Sequence, residues 1–137
     1  MSLGRSLAVT AIPVTDLELA KPFYRDVLRL ELIEDTPYAL RFSAGNASQI
    51  SVYKRPPIER GHTVAHFEVS DIDKEVADLR SRGAVFEEYT VGLLATTDGI
   101  AQIGTARAAW LKDPEGNVLG LREGPDPRTA LRDSLTA

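Results

Sequence analysis

A four-residue motif occurs twice in the chain. Val14-Thr15-Asp16-Leu17 returns as Val69-Ser70-Asp71-Ile72, at an offset of 55 residues. In each copy a β-branched apolar run ends in a hydroxyl residue, then an aspartate, then an apolar residue. That is how a strand hands over to a helix, because short oxygen-bearing side chains accept from the first unpaired helical amides. Each half reads as strand, helix and three strands, more strands after the helix than an ordinary ferredoxin-like domain has. The duplication predicts an α+β fold of two βαβββ modules packed by pseudo-symmetry, with helices outside and a curved mixed sheet lining a cup.

Taken in order, Leu7–Val14 is the first strand. Thr15 and Glu18 have capping-box spacing, and Asp16 suits the positive helix end. Leu17, Ala20, Tyr24, Val27 and Leu28 then form one apolar stripe, with Pro22 awkward at that depth. The helix stops near Arg29, where a glycine would be comfortable. Three strands follow, near Leu30–Glu34, Tyr38–Ser43 and Gln49–Tyr53. Lys54–Gly61, with Pro56-Pro57, is a linker that cannot continue a ladder. The second module reads Thr63–Val69, a helix carrying Ile72, Val76 and Leu79 and ended by Gly83, then strands at Ala84–Glu88, Ala106–Leu111 and Asn117–Glu123. Thr90–Ile103 is a loop. Asp113-Pro114-Glu115-Gly116-Asn117 is turn chemistry between the last two strands. One domain spans 1–124, with modules at about 7–55 and 62–123. Residues 125–137 read as a tail with a short helix from Arg128 to Leu135.

Size and charge exclude several function classes. A chain of 137 residues is long enough for a substantial core, and a net charge of −4 leaves no basic footprint for nucleic acid or a membrane surface. With no cysteine there are no disulfides, thiolate nucleophiles or zinc–cysteine sites. The apolar run Leu7–Val14 contains a proline and is too short to span a bilayer, and no secretory signal precedes it, so a cytoplasmic location is expected. No phosphate loop, dinucleotide fingerprint or Ser-His-Asp order is present.

The βαβββ duplication carries Val14-x-Asp16-Leu17 and Phe23-Tyr24-Arg25-Asp26-Val27-Leu28 in its first half. In its second it carries Asp113-Pro114-Glu115-Gly116-Asn117. Together these resemble the vicinal oxygen chelate superfamily, which includes glyoxalase I, extradiol dioxygenases, and fosfomycin- and bleomycin-resistance proteins. The resemblance runs from about Leu7 to Glu123. The segment from Gly83 to Pro114 looks like a group of small stand-alone bacterial members. The resemblance implies paired modules, a cup-shaped cavity, and often a homodimer.

It also implies where a metal would sit: seven residues before the aspartate that opens each helix, and in the last strand of each module. These positions fall on Val9, Val64, Gly120 and Ser51. Two valines, a glycine and a serine cannot hold a divalent ion, so no metal or other cofactor is expected.

Residues two apart on a strand share a face. The cup face would then carry Val9, Ala11 and Pro13; Ser51 and Tyr53; Val64, His66 and Glu68; and Gly120 and Arg122. His66 reads either as a hydrogen-bond donor or general base in an apolar cup, or as a half-buried histidine bonded to Glu68. Tyr53 and Trp110 read either as aromatic walls for a flat ligand or as core. Thr96-Thr97-Asp98-Gly99 reads as a loop over the cup mouth or as a plain turn. The reading that follows is a metal-free small-molecule-binding protein for a partly apolar or aromatic ligand, contacted by Val9, Ala11, Ser51, Tyr53, Val64, His66, Trp110 and Gly120. The alternative is a lyase- or dioxygenase-like enzyme of the same superfamily using His66, with Glu68, or a shifted metal site. A third reading is an interaction module with a filled cup.

Overall fold

The computed structural model describes residues 3–90, 92 and 94–128. Its strands form two mixed four-stranded sheets of the same internal order. The first contains β1 (Val9–Val14), β2 (Glu31–Asp35), β3 (Ala39–Ser43) and β4 (Gln49–Lys54), in the order β1-β4-β3-β2. The second contains β5 (Thr63–Glu68), β6 (Ile100–Ile103), β7 (Ala106–Lys112) and β8 (Val118–Glu123), in the order β5-β8-β7-β6. In each, the first strand runs parallel to the last and the other pairings are antiparallel. The two sheets are separate and do not close into a barrel. Among the described residues no helix is long and apolar enough to cross a membrane.

Alternation in the strands decides which sheet face is covered. Ile12 and Val14, Leu40 and Phe42, and Ile50 and Val52 lie on one face of the first sheet and are buried, while Ala11 on the other face is exposed. Helix α2 (Ile72–Ser81) repeats the pattern on the second sheet, burying Ile72, Val76 and Leu79 at spacings of four and three. Among the described residues no helix packs on the opposite face of either sheet, where Ala11, Tyr53, His66 and Trp110 remain at least partly exposed.

The first helix differs from expectation. Helix α1 (Leu17–Pro22) has six residues and passes into a π-helical turn, Phe23–Val27, in which Leu28 N–H donates to Phe23 C=O at 3.0 Å. Pro22 has no N–H and its ring crowds the preceding turn, so the chain widens there. Arg29 ends the segment at φ 59°, the left-handed conformation in place of a glycine. The N-cap is Asp16, whose carboxylate accepts from Glu18 and Leu19 N–H; Thr15 is drawn away by Glu115. Asp71 caps α2 in the same way, accepting from Lys74 N–H.

The second module has one of its three strands elsewhere than its apolar pattern suggests, while β7 and β8 lie where it places them. Ala84–Glu88 makes a single isolated bridge, Phe86 to Leu111. The ladder partner of β7 is β6, inside the stretch read as loop. Ile103 pairs with Ala106, so Gly104-Thr105 closes a two-residue hairpin with Gly104 at φ 59°. A neighbour joined by so short a turn costs less closure entropy than one twenty residues away. The helix expected from Arg128 to Leu135 lies outside the described residues beyond Arg128.

Candidate functional site

The turn between β7 and β8 positions the site, and it does so through one carboxylate. Asp113 is 5% exposed. Its Oδ1 accepts from the N–H groups of Glu115 and Asn117, at 3.0 and 2.8 Å, which folds the turn. Its Oδ2 accepts from Tyr24 Oη–H and from Asn117 Nδ2–H, both at 2.8 Å. Asn117 Nδ2 also donates to Pro13 C=O at 2.9 Å. The second module is thus bonded to the helix and the first strand of the first module. Burial, and then the charge of Asp113, pushes the Tyr24 hydroxyl far above its ordinary range, so it acts as a permanent donor.

Glu115 makes the second junction. Its carboxylate accepts from the N–H groups of Thr15 and Asp16, at 2.7 and 2.8 Å, and from Thr15 Oγ1–H at 3.0 Å. Arg60 from the linker lies 3.5 Å away. Burial works to raise the Glu115 pKa, but these donors outweigh it and hold it below the ordinary glutamate value of 4.5. A depressed folded-state pKa contributes stability above the unfolded value, and that stability is lost as pH falls through the folded one. Glu115→Gln should therefore be less stable than wild type by about 1–2 kcal/mol at pH 7. The gap should narrow as the pH drops below about 4.5, as followed by denaturant melts at both ends. A gap independent of pH would refute this account.

On β8, held in place by that turn, Gly120 sits on the open face of the second sheet, opposite His66 on β5 and Trp110 on β7. A Cβ built on Gly120 would stand 3.1 Å from His66 Cβ, 3.6 Å from Thr63 Cγ2 and 3.6 Å from Trp110 Cδ1. The missing side chain therefore leaves a shallow slot between histidine and indole, no deeper than a methyl group, since even a Cβ would crowd His66. The slot opens into a cavity of about 200 Å³ lined also by Ile103, Ala106, Ala108 and Arg122. Trp110 is half-buried and held edge-on by Tyr89, with ring centroids 5.4 Å apart. On the polar side, His66 Nε2 lies 3.5 Å from Glu68 Oε1, and Arg122 Nη1 donates to Glu68 at 3.0 Å.

His66, Trp110 and Gly120 are thus brought together, with Glu68 beside them. A register shift between Thr63 and Ala65 changes the face assignment at the start of β5. It brings Thr63 beside Gly120, while Val64 lines a separate cavity of about 180 Å³ with Ala11 and Pro13 at the linker. Val9, Ser51 and Tyr53 lie on the first sheet and do not line the slot. Thr97 and Asp98 line a cleft with Asp73 and Arg107, whose ion pair at 2.8 Å ties β7 to α2. Thr97 and Asp98 therefore sit on the helix side and do not line the slot. Thr63, Tyr89 and Arg122 acquire their places from the bulge, the ring contact and the ion pair; of these, Arg122 alone was visible in advance, by its alternation with Gly120.

The four positions where the fold implies a metal do not suit one. Val9, Val64 and Gly120 offer no side-chain donor, and Ser51 offers one hydroxyl. Among the described residues no group of three or more His, Cys, Asp or Glu is placed to hold an ion.

Residues 6–121 match the model of the Glyoxalase/Bleomycin resistance protein/Dioxygenase superfamily. No curated protein matches the chain. Solved structures do. The lactoylglutathione lyase of Agrobacterium tumefaciens superposes with a TM-score of 0.69 at 20% identity, covering 88% of this chain and 94% of that one. TnmS3, an antibiotic binding protein from Streptomyces sp. CB03234, gives 0.66 at 25% identity, covering 87% and 95%. A glyoxalase/bleomycin resistance protein from the same Streptomyces strain gives 0.63 at 26%, covering 85% and 98%.

Proposed function

The chain belongs to the glyoxalase/bleomycin resistance protein/dioxygenase superfamily, and from that premise we propose that it is a metal-free small-molecule-binding protein. Its ligand is flat and partly apolar, and it seats over Gly120 against Trp110. The observation that carries this is the Gly120 slot itself. A position that the fold's resemblance gives to a metal ligand here has no side chain, and the space is walled by an indole and a histidine. Two neighbours of known structure are named for antibiotic binding or bleomycin resistance, which fits a binding role. We also propose a cytoplasmic location, and a homodimer in which the partly open sheet faces carrying Ala11, Tyr53, Ile103 and Trp110 are covered.

A thermal-shift screen of small aromatics and antibiotics tests the reading. A ligand at a hundred times its dissociation constant should stabilise the fold by about 2.7 kcal/mol, and Trp110→Ala should abolish the shift. A screen without a Trp110-dependent shift sinks it. One observation favours a second reading: the His66–Glu68 contact could orient the imidazole for proton transfer. His66→Ala separates the two, because a binder then only loses part of its affinity, whereas an enzyme loses turnover while ligand still binds against Trp110.

A further inference from the structure

The charge lining the cavity says more about the ligand than the apolar walls do. Of the residues lining the cavity, Arg122 is the one with a permanent charge. Its Nη1 donates to Glu68 Oε1 and Oε2 at 3.0 and 3.2 Å, and its Nη2 to Pro125 C=O at 3.2 Å. A guanidinium has five N–H groups in a planar fork, so these contacts leave Nε–H uncommitted among the described residues. Glu68 does not line the cavity; it lies outside the slot and its side chain is 55% exposed. An ion pair that exposed contributes little. A second partner for Glu68, His66 Nε2, already lies 3.5 Å away. Glu68 can therefore swing off Arg122 at small cost, and its present pose shows how a carboxylate is held there.

We infer that the slot selects planar aromatic acids, with the ring over Gly120 and the ligand's carboxylate on Arg122 in place of Glu68. This rests on the reading of the slot as the ligand site, and it adds the ligand's charge. A closed apolar cavity of about 150 Å³ accepts benzene, so an open hollow of about 200 Å³ admits a ring with its acid group.

The test is calorimetric titration of the full chain with 2-naphthoate and its neutral isostere 2-naphthamide. Wild type should bind the acid roughly tenfold or more tightly than the amide, the span expected for hydrogen bonds to a charged group. Arg122→Gln should erase that preference, bringing the affinity for the acid down to that for the amide. Arg122→Lys should keep part of it. Glu68→Gln should strengthen acid binding alone, by removing the competitor. Added salt should weaken the acid and spare the amide. Equal binding of the two compounds, or a preference that survives Arg122→Gln, overturns the inference and leaves the slot standing as a binding site. Binding of neither compound overturns both.

Discussion

Replacing Asp113 with alanine is expected to lower the unfolding free energy by about 3–4 kcal/mol. The loss is large because one carboxylate serves four donors at once: the N–H groups of Glu115 and Asn117, the Asn117 amide and the Tyr24 hydroxyl. Tyr24 is 0% exposed, so its hydroxyl cannot turn to water when its acceptor is removed. A buried donor left unpaired costs about 1–3 kcal/mol by itself. Tyr24→Phe removes donor and need together and should cost about 1 kcal/mol. Combined with Asp113→Ala it should restore part of the loss, because the phenol is no longer stranded. At about 3 °C per kcal/mol for a chain of this size, the single variant should melt roughly 10 °C lower. The double-mutant cycle is the deciding measurement: additive losses would mean that the two groups do not share an interaction.

Gly120→Val should abolish ligand binding while leaving a folded protein. Its Cβ would begin 3.1 Å from His66 Cβ, and its methyl groups would project toward Thr63 Cγ2 and Trp110 Cδ1. β-branched residues suit strands, so the backbone tolerates the change, and the cost is overpacking of about 1–3 kcal/mol. The effect on affinity should exceed that on stability, because the valine occupies the space a ring would take. Gly120→Ala, placing one carbon there, should weaken binding by a smaller factor. The pair is read by titration of any ligand found in the aromatic screen, with melts as the control. Undiminished affinity in Gly120→Val would put the ligand elsewhere.

Much of this molecule was legible as a string of residues. The repeat at Asp16 and Asp71 gave two modules of like order, because strand-to-helix handover needs an acceptor side chain there and the aspartates cap both helices. Arg29 was readable as a strained cap because the apolar stripe ends beside it, and its φ is 59°. That Val9, Val64, Gly120 and Ser51 do not make a divalent-ion ligand set follows from residue identity, which fixes side-chain chemistry.

Other features depend on contacts that no local pattern carries. β6 displaced Ala84–Glu88 from the ladder because a two-residue turn places Ile103 beside Ala106, and propensity is a weak vote against so close a neighbour. A bulge ahead of Ala65 exchanged Thr63 for Val64 beside Gly120, since one extra residue flips the residues before it relative to His66 and Glu68 after it. Glu115 could be seen as a turn residue and nothing more. Its role appears once Thr15 and Asp16, a hundred positions away along the chain, present their free amides to it. Identity determined which chemistries this chain can perform; tertiary packing decided which residues meet to perform one, because proximity across sheets is a property of the assembled fold.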